Sequence, residues 1–395
     1  MATVRIEVQP VVLEWVANHA QNLSDKWLQK LNLWLSGEKQ PTLKQLKDVS
    51  NAAKIPFGYF FLNEAPQEDL PLLKYRTVDN IEIEHPSRDL IEIMEDMVAK
   101  QEWLSEYRQE AGFEKNQFNG AAQRLTQVEG LTNQQKAARI LKSLGLKSGW
   151  NLGNRSFNRF KFLRAKLNAI GVTVMEDGMV KGNTHRTLNQ KEFRAFAMTD
   201  DYAPLIFINS RDSYNAELFS LVHELVHIWY GQPELFNFDF NRNTAFRHPV
   251  TEQDINHIAE EILFSQPIFM QIWQENLTDS LTETVITTAG KLGTSPLSAG
   301  IRAVRLKLIT QKVVDELKEQ LEEEYKQLKQ KQHDSSGGPV PSRTQAAHMD
   351  HDFIADVVRS TNSGEITYTK AFELLNVKDG SRFDKLMTAV RESEK

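Results

Sequence analysis

The run LFSLVHELVHIWYG, residues 218–231, constrains this chain more than any other stretch. It is almost wholly apolar, yet it holds two histidines and a glutamate. Leu218, Phe219, Leu221, Val222, Leu225 and Val226 surround a helical axis instead of lining one side of it, so a helix here is buried on most faces. His223 and His227 stand four apart and lie one above the other on one helix face. Glu224 points about 100° away. Burying three such groups without partners would cost several kcal/mol. A core helix with satisfied histidines is the plain reading. The chemical one is that two imidazoles take adjacent corners of a tetrahedral zinc site, with Glu224 beside the metal as base for the attacking water. Composition alone gives His-Glu-x-x-His about 0.02 times in a chain this long. The motif therefore points to metal-dependent hydrolysis, and its surroundings have to supply the rest.

A third ligand is required. The stretch TEQDINHIAEEILF, residues 251–264, offers Glu252, Glu260 and Glu261. Thr251 suits an N-cap, which puts Glu252 in the first turn of a helix, near the mouth of the preceding loop. Asn256 and Ala259 share the face of Glu252, whereas Glu261 points away and Glu260 lies about 80° off. Glu252 is favoured, with Glu260 and Glu261 expected to be surface or intrahelically paired glutamates. Tyr230, His248 and His257 are open candidates for a transition-state or supporting role.

Composition excludes several classes. The 395 residues contain no cysteine, which removes disulfides, thiolate zinc sites and cysteine nucleophiles and fits a reducing cytoplasm. A net charge of -6 argues against a molecule that binds nucleic acid through its overall field. MATVRIEVQPVVLEW has no signal-peptide apolar region, and runs such as APLIFI are too short to span a bilayer.

Periodicity divides the chain. Residues 10–62 read as helices, with Thr42 capping the third and Leu43, Leu46, Val49 and Ala52 as its buried face. Residues 86–146 are again helical, broken by polar turns at EAGFEKNQFNG and EGLTNQQ. GVTVME, FRAFAM and APLIFIN read as three short strands. From about 251 to 330 the pattern returns to helix and ends in a solvated, charged face. HDSSGGPVPSRTQ is a linker by composition. The expected organisation is a helical domain over 1–75, a helical connector over 76–165, a peptidase core with lid helices over 166–330, a linker over 331–346 and a small helical module over 347–395. In that last module Thr367 or Thr369 suits a cap, and His348 and His351 lack the further ligands a second metal would need.

The stretch FRAFAMTDDYAPLIFINSRDSYNAELFSLVHELVHIWYG, followed by EQDINHIAEEIL, resembles the ImmA/IrrE family of zinc metallo-endopeptidases. The family pattern falls on His223, Glu224, His227, Glu252, Asn256 and Ala259, with Ser220 where the family often has threonine. The resemblance implies a mostly helical α+β fold with a thermolysin-like (gluzincin-type) zinc core. It implies one zinc per chain on His223, His227 and Glu252, and Glu224 as general base. It further implies regulatory proteolysis of a helix-turn-helix repressor or of a toxin–antitoxin or mobile-element partner, as in stress responses. The alternative is a partner-binding or antitoxin-like regulator that keeps the core as a scaffold.

A second resemblance lies in WLSGEKQPTLKQLKDVSNAAKIPFGYFFL, which is similar to the C-terminal half of an Xre-type helix-turn-helix domain. The chain before it is several residues short of a full recognition unit. Residues 1–60 hold seven basic and five acidic side chains, too even a balance for a clustered basic face. Protein docking or a helical cap therefore stands beside direct DNA binding as the expected role.

Overall fold

The computed structural model describes residues 5–20, 23–66, 86–125, 127–153, 156–231, 250–331 and 341–393. The fold is mostly helical α+β with one three-stranded sheet. The chain divides into two compact units, residues 1–71 with 81–96, and residues 72–80 with 97–395.

In the first unit, helices α1 (Pro10–His19), α2 (Asp25–Leu35) and α3 (Leu43–Ala53) and a 3-10 turn at Phe57–Phe61 enclose a core of Val12, Leu13, Val16, Leu31, Leu46, Val49 and Phe60. Thr42 starts α3 with a full capping box: its Oγ accepts from Gln45 N at 3.2 Å, and its own N–H donates to Gln45 Oε1 at 2.9 Å. The buried stripe of α3 differs from the sequence expectation. It runs Leu46, Val49, Ala53, while Leu43 is 51% exposed. A strict three-residue spacing drifts about 60° per step around a 3.6-residue helix, so its ends leave the core face.

Helix α4 (Arg88–Glu110) contributes its first turns to the first unit and the remainder to the second. The second unit continues with α5 (Asn133–Ser143), α6 (Ser156–Ala169), β1 (Thr173–Asp177), β2 (Ala195–Met198), β3 (Leu205–Asn209) and α7 (Tyr214–Tyr230). The three strands fall on the three apolar runs expected from sequence. The sheet order is β1-β3-β2, with β1 parallel and β2 antiparallel to the central β3. Every residue of β3 is buried, which accounts for its unbroken apolar run. Phe196 of β2 stacks on Phe207 of β3 across the pair.

After α7 come α8 (Glu252–Leu263), α9 (Gln266–Glu275), α10 (Leu281–Leu292), α11 (Pro296–Arg305) and α12 (Gln311–Lys331), then α13 (Pro341–His348), α14 (His351–Ser363), α15 (Tyr368–Leu374) and α16 (Gly380–Ser393). Helix α13 occupies residues that composition assigned to a linker, since a proline at a first helical position is well tolerated. One apolar core joins α5, α6, the sheet, α7, α8 and α9 to α12.

The last helices pack back on the sheet. Asp350, 1% exposed, accepts from Val174 N on β1 through one oxygen and from Phe353 N on α14 through the other, each at 3.1 Å. It thereby caps a helix and satisfies an amide on an edge strand at once. Arg164 of α6 donates to the carbonyls of Ala347 and His348, and Phe353 meets Trp103 edge to face. Thr367 is the residue that caps α15, accepting from Lys370 N.

Candidate metal centre

Helix α7 leaves β3 through a short turn and runs into the core. Ser213 caps its start by accepting from Ala216 N. Every residue from Glu217 to Tyr230 is buried, so the helix is apolar all round because it is enclosed all round. Its far end is clamped. Gly231 ends it in the left-handed region at φ 60°, Gly120 N donates to Ile228 O at 2.9 Å, and Gln123 Nε2 donates to Tyr230 O at 2.8 Å and to Gly231 O at 3.2 Å. A side chain at Gly231 would meet the Cα of Gly120 at 2.6 Å, so this contact needs glycine.

On this helix His223 and His227 are 0% and 3% exposed, and their Nε2 atoms lie 3.2 Å apart. Helix α8 packs on α7 and starts at Thr251, whose side chain accepts from Asp254 N. Its first residue is Glu252. The Glu252 carboxylate reaches both rings, with Oε2 3.3 Å from His223 Nε2 and Oε1 3.5 Å from His227 Nε2. One turn on, Asn256 Oδ1 lies 3.1 Å from His223 Nδ1. An amide oxygen only accepts, so Nδ1 carries a proton, which makes Nε2 the ring nitrogen available to a metal.

These distances test whether a metal fits. Donors about 2.0–2.1 Å from a tetrahedral zinc stand about 3.3 Å from one another, which matches the observed edges of 3.2, 3.3 and 3.5 Å. Two imidazole nitrogens and one carboxylate are also the ligand chemistry of a catalytic site with one position left for water. Among the described residues this is the one group of histidines and carboxylates that converges on a metal-sized point. Burial alone would raise the Glu252 carboxyl, but hydrogen bonding to His223 and His227 outweighs it and holds the group well below the usual carboxylate range. Glu252 therefore stays an anion, the form a metal ligand requires.

Residues 167–303 match the family model described as the IrrE N-terminal-like domain. The chain carries a metallopeptidase domain of the ImmA/IrrE family. No curated protein and no solved structure is significantly similar to the chain. The matched segment of this ImmA/IrrE domain begins at the end of α6 and closes within α11, so it contains the whole sheet, α7 and α8. The clamp on the end of α7 comes from residues 120 and 123, outside that segment.

The remaining sequence candidates lie outside the ligand group itself. Glu224 is fully buried, one residue along α7 from His223. Tyr230 is 1% exposed, and its hydroxyl makes no hydrogen bond among the described residues. Burial, with the charge of Asp254 added, raises the phenol well above its ordinary value and keeps it a proton donor. His257 stands apart from the ligand group. Its charged neighbours are Arg305, Asp254, Arg302 and Glu261, and burial followed by Arg305 lowers its pKa. His248 lies outside the described residues. Neither His348 nor His351 joins a metal group: His348 Nε2 is 3.7 Å from Glu176, and His351 Nε2 is 2.9 Å from the Ala346 carbonyl.

Glu260 and Glu261 depart from the expectation of surface or intrahelical pairing. Both are buried, and both pair with arginines of α11, some 40 residues away in sequence. Glu176 and Glu217 are a second surprise. Both are buried carboxyls, Glu176 on β1 and Glu217 in the first turn of α7, pushed up to about 7 and about 8 chiefly by burial. Sequence reasoning had no signal for either beyond the apolar residues flanking them.

Proposed function

We propose that the chain is a zinc-dependent endopeptidase acting in regulatory proteolysis, with a helix-turn-helix repressor or a toxin–antitoxin component as its protein substrate. The observation that carries the reading is the triangle of His223, His227 and Glu252 donors, spaced as the edges of a zinc tetrahedron, with a buried glutamate beside it on the same helix. Zinc held there would supply Lewis-acid polarisation of the scissile carbonyl and lower the pKa of the attacking water. Glu224 takes the proton of that water and passes it to the leaving amine. Asn256 holds His223 in the tautomer that leaves Nε2 available. Tyr230, kept protonated by burial, is the candidate hydrogen-bond donor to the developing oxyanion. The strand β2 lies at one edge of the sheet, and an extended peptide can pair there in β-augmentation. The first unit, built on its own core, is the candidate element for docking a helix-turn-helix partner.

Glu224→Gln tests hydrolysis directly. The substitution keeps the size and polarity of the side chain and removes its basicity. Zinc content and melting temperature should stay near those of the wild type, while cleavage of a partner protein falls by at least about 100-fold. Fragments would be identified by mass spectrometry after incubation with the proteins encoded next to this one. A Glu224→Gln chain with every cellular effect of the wild type would overturn the peptidase reading in favour of a binding role.

A further inference from the structure

Glu260 and Glu261 are neighbours on α8, and one guanidinium binds both. Arg302 of α11, 4% exposed, donates Nη1 to Glu260 Oε2 at 3.3 Å and Nη2 to Glu261 Oε1. Arg305 also donates to Glu260 Oε2, and Glu261 Oε2 accepts from Gln266 N at 3.1 Å. A buried ion network of this kind seldom adds net stability over apolar packing. What it adds is direction, because a guanidinium fork accepts carboxylates in few geometries.

We propose that Arg302 is a positioning residue for the metal centre, fixing the rotation and height of α8 so that Glu252 and Asn256 meet the histidines of α7. The inference rests on reading His223, His227 and Glu252 as a zinc site. Adjacent residues on a helix diverge by 100°, so one planar group that holds both Glu260 and Glu261 leaves the helix essentially one rotation about its axis. The apolar face of α8, at Ile255, Ile258, Ala259 and Ile262, is buried but makes only non-directional contacts. At a side-chain radius of about 5–6 Å, a rotation of about 10° displaces a carboxylate by about 1 Å. Metal–ligand distances tolerate about 0.2 Å. A slack that apolar packing absorbs would therefore pull Glu252 off the metal, together with the Asn256 contact to His223. Arg302 touches neither substrate nor ligand. It acts through the helix.

Two full-length variants test this. Arg302→Lys keeps the charge and removes the fork. Glu260→Gln/Glu261→Gln/Arg302→Met removes the network without stranding a buried charge. Zinc affinity would be measured by competition with a chromophoric chelator, and melting temperature with and without zinc. Both variants should bind zinc at least about tenfold more weakly than wild type, the scale seen when groups supporting a metal ligand are lost. The zinc-free melting temperature should move little in the triple variant. If a folded variant of either kind binds zinc within twofold of wild type, the positioning role is overturned while the zinc site stands. If neither variant folds, Arg302 is a structural residue and the proposal also fails. A wild type that binds no zinc would overturn both this inference and the proposed function.

Discussion

Glu217 makes the pH dependence of this fold calculable. It is 2% exposed in the first turn of α7, and its Oε2 finds no hydrogen-bond donor among the described residues. Burial first, then the charges of Glu176 and Asp212, raise its carboxyl from 4.5 to about 8. A carboxyl raised on folding takes up its proton more readily in the native state. Its contribution to stability is then complete below pH 4.5 and is lost as pH rises through 8. At about 1.4 kcal/mol per pKa unit, that gap is worth roughly 4–5 kcal/mol at alkaline pH. The positive end of the α7 dipole favours the ionised form and returns up to about 2 kcal/mol, leaving a penalty of about 3 kcal/mol. Glu217→Gln is neutral at every pH and nearly the same shape. Urea unfolding should find it as stable as the wild type at pH 4 and about 3 kcal/mol more stable at pH 9. Titration of the zinc ligands is common to both proteins and cancels in the difference. Equal stabilities at pH 9 would refute the reasoning and mean that Glu217 is ionised and solvated in the native state.

Three further outcomes are expected. Asn256→Ala removes the acceptor for His223 Nδ1 and should weaken zinc binding about 10- to 100-fold without unfolding the chain; an unchanged chelator-competition curve would contradict it. Gly231→Ala places a methyl group against the Gly120 backbone at a positive φ and should cost about 2–4 kcal/mol in denaturant unfolding, whereas alanine at Gly364, also at positive φ but with open space around it, should cost only about 1–2 kcal/mol. Asp350→Ala strands the amides of Val174 and Phe353 and should destabilise the docking of the last four helices by about 2–3 kcal/mol, read as faster limited proteolysis after residue 340; a digestion rate equal to that of the wild type would count against it.

Much of this fold is legible in the sequence because its signals are local. Three short apolar runs bounded by turn residues became three strands. Thr42 and Thr251 start helices because a side-chain oxygen can satisfy an orphan N–H within the same turn. The spacing of His223 and His227 is likewise a property of one helix. Asn256 follows Glu252 by one turn, and a shared face is all that is needed for both to reach α7. The buried stripe of α3 leaves the predicted one at its ends because a three-residue spacing approximates a 3.6-residue turn only over a short span. Composition predicts a linker where α13 forms, because proline, glycine and serine dominate the stretch before it.

The sequence by itself determined the donor types, their order and which of them share a helix face, since those follow from covalent spacing and helical period alone. No helix among the described residues is long and apolar enough to cross a membrane, as the lengths of the apolar runs already required. Tertiary structure alone decided how closely Glu252, favoured on sequence, approaches the two histidines, that Gln123 and Gly120 seal the end of α7, and that Arg302 holds Glu260 and Glu261. The physical reason is that a carboxylate or a guanidinium carries no mark of its partner in the chain. Whether it becomes a ligand, a buried acid with a raised pKa like Glu217 or half of an ion pair is set by what lies within about 4 Å once the helices have packed.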